Sequence, residues 1–211
     1  MNNSLTNALQ WRYATKVFDK EKKIADEDLN TILEAGRLAP SSIGVEPWKF
    51  IVIENPQLRA KLREASYGQP KVTDASALVV IARRTDVREN IARELLERTA
   101  KAQGVTLESL GGLKGMAEGG IGGKNDQELD AWVRTQVYIP LGTMIAAASL
   151  LGVDSGPMEG FDAAKVDEIL GFPGKHLKAT TMLALGYRGE DPAATRAKVR
   201  RDFAEVVEFV R

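Results

Sequence analysis

The sequence predicts an α+β fold, a mixed sheet wrapped by helices, on three observations. Short apolar runs rich in β-branched residues recur at 48–53 (WKFIVI), 77–82 (ALVVIA) and 179–186 (ATTMLALG), the composition of central strands. Between them lie longer segments with apolar residues at helical spacing. The two kinds of element lack the steady strand-helix-strand rhythm of a doubly wound sheet. With 211 residues, 44% of them hydrophobic, the chain can bury a full core and is read as a single domain over residues 1–211.

Taken in order, Ser4 to Trp11 reads as a short helix capped by Ser4 or Asn3. Asp26 to Leu38 reads as a second, with Leu29, Ile32, Leu33 and Leu38 on one face behind an acidic first turn, and Pro40 blocks its continuation. Helices follow at about Gln57 to Ala65 and Val87 to Ala102, then a long one from about Asp126 to Leu151 carrying Trp132, Val133, Val137, Leu141, Ile145 and Leu150. Asp162 to Leu170 closes the series, with Asp162 as N-cap and Gly171 at the C-terminal end. Two segments stand apart. LGGLKGMAEGGIGGKND, residues 110–126, holds seven glycines, which argues against a rigid helix and for a mobile flap. The terminal VVEFVR, residues 206–211, is strand-like and follows the basic RAKVRR; such a strand completes a sheet edge, its own or a partner's.

Composition removes several function classes. Basic and acidic residues balance at 29 each, so no global field draws the chain to nucleic acid or to an anionic membrane, and any anion site is local. The absence of cysteine excludes disulfides, thiolate metal sites and a cysteine nucleophile. The single histidine, His176, has no cluster of carboxylates around it in the sequence, which leaves neither a metal site nor a Ser-His-Asp triad. The N-terminus has no basic segment followed by an apolar run, and Val137 to Val153 is too interrupted for a membrane span. The expected location is the cytoplasm.

Small, backbone-exposing residues and cations recur at the ends of predicted elements. Arg12 and Lys16 stand four apart after the first helix; Pro40, Ser41, Ser42 and Gly44 form the loop LAPSSIGVEPWKF before the first strand; Gln69 and Lys71 precede the second. Pro157, Met158, Glu159 and Gly160 follow the long helix, and Lys198 and Arg200 precede the tail. Dispersed cations can converge on a phosphate while serine hydroxyls and free amides complete its oxygen shell. Each signal also has a plain structural reading. Arg12 and Lys16 suit a solvated helix-end pair, Pro and Ser suit turn geometry, a mid-helix Gln136 suits a solvated face, Glu159 suits a helix N-terminal acid, and RAKVRR suits a solvated basic run.

The order RYATKVFD, LAPSSIGVEPWKF, QPKVTDAS, WVRTQVYIPLGTMIAAASLLGVDSGPMEGFD, ALGYRGED and a terminal KVRRDF resembles the FMN-dependent nitroreductase family from about residue 8 to the end. The blocks APSSxxxxPW and GxxxxPMEGFD are specific in combination. The resemblance implies an intertwined homodimer with C-terminal strand exchange and an FMN site at each subunit interface. Arg12 would hold the phosphate and ribityl chain and Lys16 the N1/C2 edge of the flavin, where a fixed cation stabilises the negative charge that reduction develops. Tyr13 and Ala14 stand where the family usually has His-Ser. Pro40, Ser41, Ser42 and Gly44 would reach the cofactor bound mainly by the partner, Gln69 and Lys71 the pyrimidine side, and Gln136 the site from the long helix. Pro157, Met158, Glu159 and Gly160 would pass the central ring, with a backbone N–H aimed at N5, and Lys198 and Arg200 would close over the phosphate.

The implied activity is ping-pong transfer of hydride from NADH or NADPH through flavin N5 to a nitroaromatic or quinone. No side chain serves as nucleophile, and Lys16 and Glu159 assist. The same scaffold also suits a flavin-binding or flavin-modifying protein, or a reductase of an enone or halogenated aromatic. The glycine-rich segment stands where many relatives have a helix over the flavin, which implies a wider or more mobile acceptor pocket.

Overall fold

The computed structural model describes residues 4–211. Four strands, β1 (Trp48–Ile53), β2 (Ala77–Arg84), β3 (Asp154–Met158) and β4 (Leu177–Gly186), form one sheet in the order β1-β2-β4-β3. The helices are α1 (Ser4–Trp11), α2 (Asp26–Arg37), α3 (Pro56–Ala65), the single turn α4 (Lys71–Asp74), α5 (Ala92–Gln103), α6 (Gly111–Gly122), α7 (Asp126–Leu150), α8 (Ala163–Leu170) and the short α9 (Phe203–Val206). None of the described helices is long and apolar enough to cross a membrane.

Alternation along the strands builds a three-layer molecule. Leu78, Val80 and Ala82 of β2 face one core with Leu62 of α3 and Val166 of α8; Ala77, Val79 and Ile81 face the other, with Ile32 of α2 and Val137, Leu141 and Met144 of α7. Successive strand residues point to opposite faces, so a strand covered on both sides reads as an unbroken apolar run. In β4 the register slips at Thr180: Ile81 pairs with Thr181 and Ala82 with Ala179. This one extra residue puts Ala179 and Met182 in the same core although they are three apart.

Every strand pair is antiparallel, which corrects the mixed sheet expected from the sequence. Continuous apolar strands usually belong to parallel sheets; here the same pattern arises because helices cover both faces of an antiparallel one. Among the described residues a single parallel pairing exists, the isolated bridge between Ala14 and Ser155 on the outer edge of β3.

The element boundaries follow local chemistry. Asn55 accepts from the Leu58 amide at 2.9 Å ahead of α3, Asn125 and Glu128 form a reciprocal capping box ahead of α7, and Asp162 accepts from the Lys165 amide ahead of α8, which Gly171 ends at φ 62°. Ser4 is the first residue of α1 rather than its cap, and Asn3 lies outside the described residues. Val87 to Ile91 forms a π-turn leading into α5.

A further expectation, the mobile flap, is corrected. Residues 111–122 are helical although half of them are glycine. Leu113, Ala117 and Ile121, spaced by four, pack into a third core cluster with Val45, Ile91, Leu95 and Val133, and this apolar stripe outweighs the poor helix propensity. Arg88 holds the far end, donating to the Lys124 carbonyl at 2.9 Å. The tail is not a strand within this chain: after α9, Val207 is extended (φ −129°, ψ 121°), and residues 207–211 pair with no described strand.

Gly112, Gly115, Gly119 and Gly122 have open space where a Cβ would stand, whereas a Cβ on Gly120 would lie 2.8 Å from Ile43 Cδ1. Alanine at any of the first four is expected to stabilise α6 by roughly 0.5–1 kcal/mol, and at Gly120 to disturb the Ile43 contact. Amide hydrogen exchange along α6 checks both, with slower exchange in the first set and faster exchange in Gly120→Ala.

Candidate functional site

The residues singled out in the sequence assemble into three groups. In the first, Lys198 Nζ donates to the carbonyl of Leu9 at 2.8 Å and to that of Arg12. Burial, and then the charge of Arg200, lower the Arg12 pKa; burial, then Arg12 and Arg200, lower that of Lys198. Arg12 Nε is buried without a hydrogen-bond partner. The second group joins Lys16 with Lys71, whose pKa is lowered by burial and then by Lys16. Among the described residues, none of Arg12, Lys16, Lys71, Lys198 and Arg200 forms an ion pair with a carboxylate.

Gln69 links the second group to the segment after β3. Its Nε2 donates to the Gly160 carbonyl at 2.7 Å and to the Ser66 carbonyl at 3.1 Å. Pro157 stands in β3, an edge strand where a missing N–H is tolerated. Gly156 allows a close backbone approach, since a Cβ there would lie 2.6 Å from the Thr15 carbonyl oxygen. Met158 turns its side chain into the core, so only its backbone faces outward. Glu159 accepts from the Tyr138 hydroxyl at 2.5 Å, and burial, then this bond, raise the Tyr138 pKa.

The third group is the loop before β1. Gln136, buried on α7, accepts from the Ser42 amide at 2.8 Å, and Ser41 Oγ accepts from the Glu46 amide at 2.8 Å. Gly44 has φ 77° and Ile43 φ 61°; the latter is strained for a β-branched residue and is held by the packing of its side chain on α6. Pro40 is exposed at the loop's start. No hydrogen bond or ion pair among the described residues joins this loop to the two cation groups.

Sequence reasoning assigned no role to the acids that fix the 11–18 segment. Asp191 accepts from the amides of Lys16 (2.9 Å) and Val17 (3.2 Å) and from the Tyr13 hydroxyl (3.0 Å). Asp154 accepts from Thr15 Oγ1 at 3.3 Å and pairs with Arg188 at 2.6 Å, whose guanidinium lies over the rings of Trp11 and Tyr13 at 4.3 and 4.8 Å. Ala14 is exposed. Both acids sit in the quoted blocks GVDSGPMEGFD and ALGYRGED, and that proximity is the only signal the sequence offers for them.

Burial alone would raise the Asp191 pKa, but the amides of Lys16, Ala193 and Val17 and the Tyr13 hydroxyl hold it at about 2, below its ordinary 3.8. Burial and the bond to Asp191 raise Tyr13 to about 12. A depressed carboxylate stabilises the fold above its unfolded value and loses that contribution as pH falls through the folded one. Urea denaturation between pH 4 and pH 2 is therefore expected to give a shallower loss of stability with acid in Asp191→Asn than in the parent. Gln136→Leu leaves the Ser42 amide without its acceptor, and a stability loss of about 1–3 kcal/mol is expected by urea denaturation, with faster exchange at that amide.

Comparison with known proteins agrees with this arrangement. The model of the Nitroreductase family matches residues 9–187. A protein of Staphylococcus haemolyticus named as a candidate NAD(P)H nitroreductase is 38% identical, covering 100% of this chain and 99% of its own. Among solved structures, a nitroreductase-like protein of Streptococcus mutans superposes with a TM-score of 0.86 at 21% identity over 100% of both chains. A candidate nitroreductase of Exiguobacterium sibiricum, solved in complex with FMN, superposes with a TM-score of 0.82 at 21% identity over 98% and 97% of the two chains. In sequence over most of its length and in fold, this chain belongs to the nitroreductase family.

Proposed function

We propose that the protein is a homodimeric FMN-dependent oxidoreductase that takes electrons from NADH or NADPH and delivers them to a small electron-poor acceptor, a nitroaromatic or a quinone. The observation that carries this reading is the gathering of Arg12, Lys198 and Arg200 without a carboxylate. Three cations held together at some cost call for an anion, and a phosphate ester with about two negative charges fits them. The buried, unpartnered Arg12 Nε is a donor in want of such an acceptor.

The other groups suit the rest of the cofactor. Lys16 and Lys71 supply positive charge for the pyrimidine edge. Gln69 has both bonds of its Nε2 directed at carbonyls, which leaves Oε1 as an acceptor for a ring N–H. The amides of Glu159 and Gly160 donate to no described group, so a backbone donor is free beside the proposed ring position. FMN, when bound, supplies the two-electron chemistry, and the protein supplies position, charge and exclusion.

The loop holding Pro40, Ser41, Ser42 and Gly44 is read as facing the partner's cofactor, since it makes no bond to its own chain's cation groups. Val199, Phe203, Phe209 and Val210 are exposed on the C-terminal arm, a surface consistent with strand exchange between copies.

The purified protein is expected to be yellow, to bleach anaerobically on addition of NADH or NADPH, and to recover its colour with a nitroarene. Arg12→Gln is expected to weaken FMN binding about 10–100-fold, as loss of a charge-assisted bond implies, while riboflavin, lacking the phosphate, loses far less. A colourless protein that takes up no FMN would end this reading.

A further inference from the structure

The cations of the proposed phosphate site come from two stretches of chain with little regular structure: the segment 12–16 after α1, and the arm 192–202 after β4. The carboxylate of Asp191 sets the base of the arm against the first segment, and Lys198 holds the arm further along. Oδ2 of Asp191 receives the Lys16 amide, the Val17 amide and the Tyr13 hydroxyl. Its Oδ1 receives the Ala193 amide at 2.9 Å, and its carbonyl receives the Ala194 amide at 3.0 Å, closing the turn from which the arm departs. The side chain is buried at 8% exposure, whereas Lys198 and Arg200, further along the arm, are exposed. Among the described residues, the arm's hydrogen bonds to the rest of the chain beyond the turn are those of Lys198 to Leu9 and Arg12.

We propose that Asp191 is a positioning residue for the anion site, tying the segment that carries Arg12 to the arm of Lys198 and Arg200 so that these three cations meet one phosphate. The inference rests on the FMN reading for its ligand and on geometry alone for the tether. Charge supports this division of labour. Asp191 is the acid that stands between the two basic segments, yet it accepts from four neutral donors and pairs with none of the cations. It therefore organises the positive groups without neutralising them, which a carboxylate on Arg12 or Lys198 would not do. Asparagine is a poor substitute, because its NH2 would face amide donors where the second carboxylate oxygen now accepts.

The test is a double-mutant cycle on FMN dissociation constants in the full chain. Asp191→Asn is expected to weaken FMN binding at least about tenfold in the parent but less than about twofold in a Lys198→Gln/Arg200→Gln background, where the arm has lost both cations assigned to the phosphate. Equal fold losses in both backgrounds, or unchanged affinity in the parent, overturn the proposal; a residue that merely supports the fold gives the equal losses. Asp191→Ser, which keeps one acceptor but cannot bridge both sides, is run through the same cycle should the asparagine variant not fold. If neither folds, the residue belongs to the framework and the proposal fails. Hydrogen exchange at the Ala194 and Arg196 amides of FMN-free protein reads the tether independently of the ligand. Faster exchange in the variant supports the tether even if the parent takes up no FMN, and unchanged exchange refutes it.

Discussion

Unrelieved positive charge is the constraint around which this molecule is arranged. Burial and then the charge of Arg200 lower the proton affinity of Arg12, burial and then Arg12 and Arg200 lower that of Lys198, and burial and then Lys16 lower that of Lys71. Like charges gathered on an exposed surface separate unless the backbone beneath them is fixed. Two acids beside them are committed elsewhere: Asp154 to Arg188, Asp191 to amides and a phenol. The fold thereby keeps the carboxylates in the scaffold and the cations at the surface.

That scaffold is the sheet edge at β3. Ser155 accepts from the Thr15 amide at 3.1 Å, and Gly189 and Asp19 bond across to Val17 and Tyr187, so the segment after α1 is laced to the ends of β3 and β4. The short strand DSGPM can hold this place because Gly156 lets the neighbouring backbone in and Pro157 belongs at an edge. On the other side of the long helix, Gln136 fixes the serine loop through one amide. Ile43, strained in the left-handed region, docks that loop on α6, so the glycine-rich helix and the loop share one contact.

Much of the secondary structure was legible because it is written in local chemistry. β1 is bounded where the apolar run is bounded, and α7 begins at its capping box. What escaped was decided at a distance. DSGPM has no strand composition and becomes β3 by pairing with β4. Residues 111–122 have almost the worst helix composition available and fold on a stripe of three side chains. Strand direction leaves no trace in a run buried on both faces, hence the antiparallel sheet where a mixed one was expected. The site was legible in its parts and as a family pattern. The pairing of Gln136 with Ser42, of Gln69 with Gly160 and of Asp191 with the Lys16 amide required the folded chain, since these partners lie 94, 91 and 175 residues away along it.

The extra residue at Thr180 makes β4 behave like a reading frame. Upstream of it, odd-numbered residues serve the layer under α3 and α8; downstream, even-numbered ones do. Inserting one position between Thr180 and Leu183 would shift the phase of everything beyond it relative to the neighbouring strands, or slide the strand end that carries Gly186 toward Asp191. Length in this strand is therefore constrained more tightly than identity: side chains there can be exchanged for others of similar bulk, but the count of residues cannot grow without moving the anchor of the basic arm.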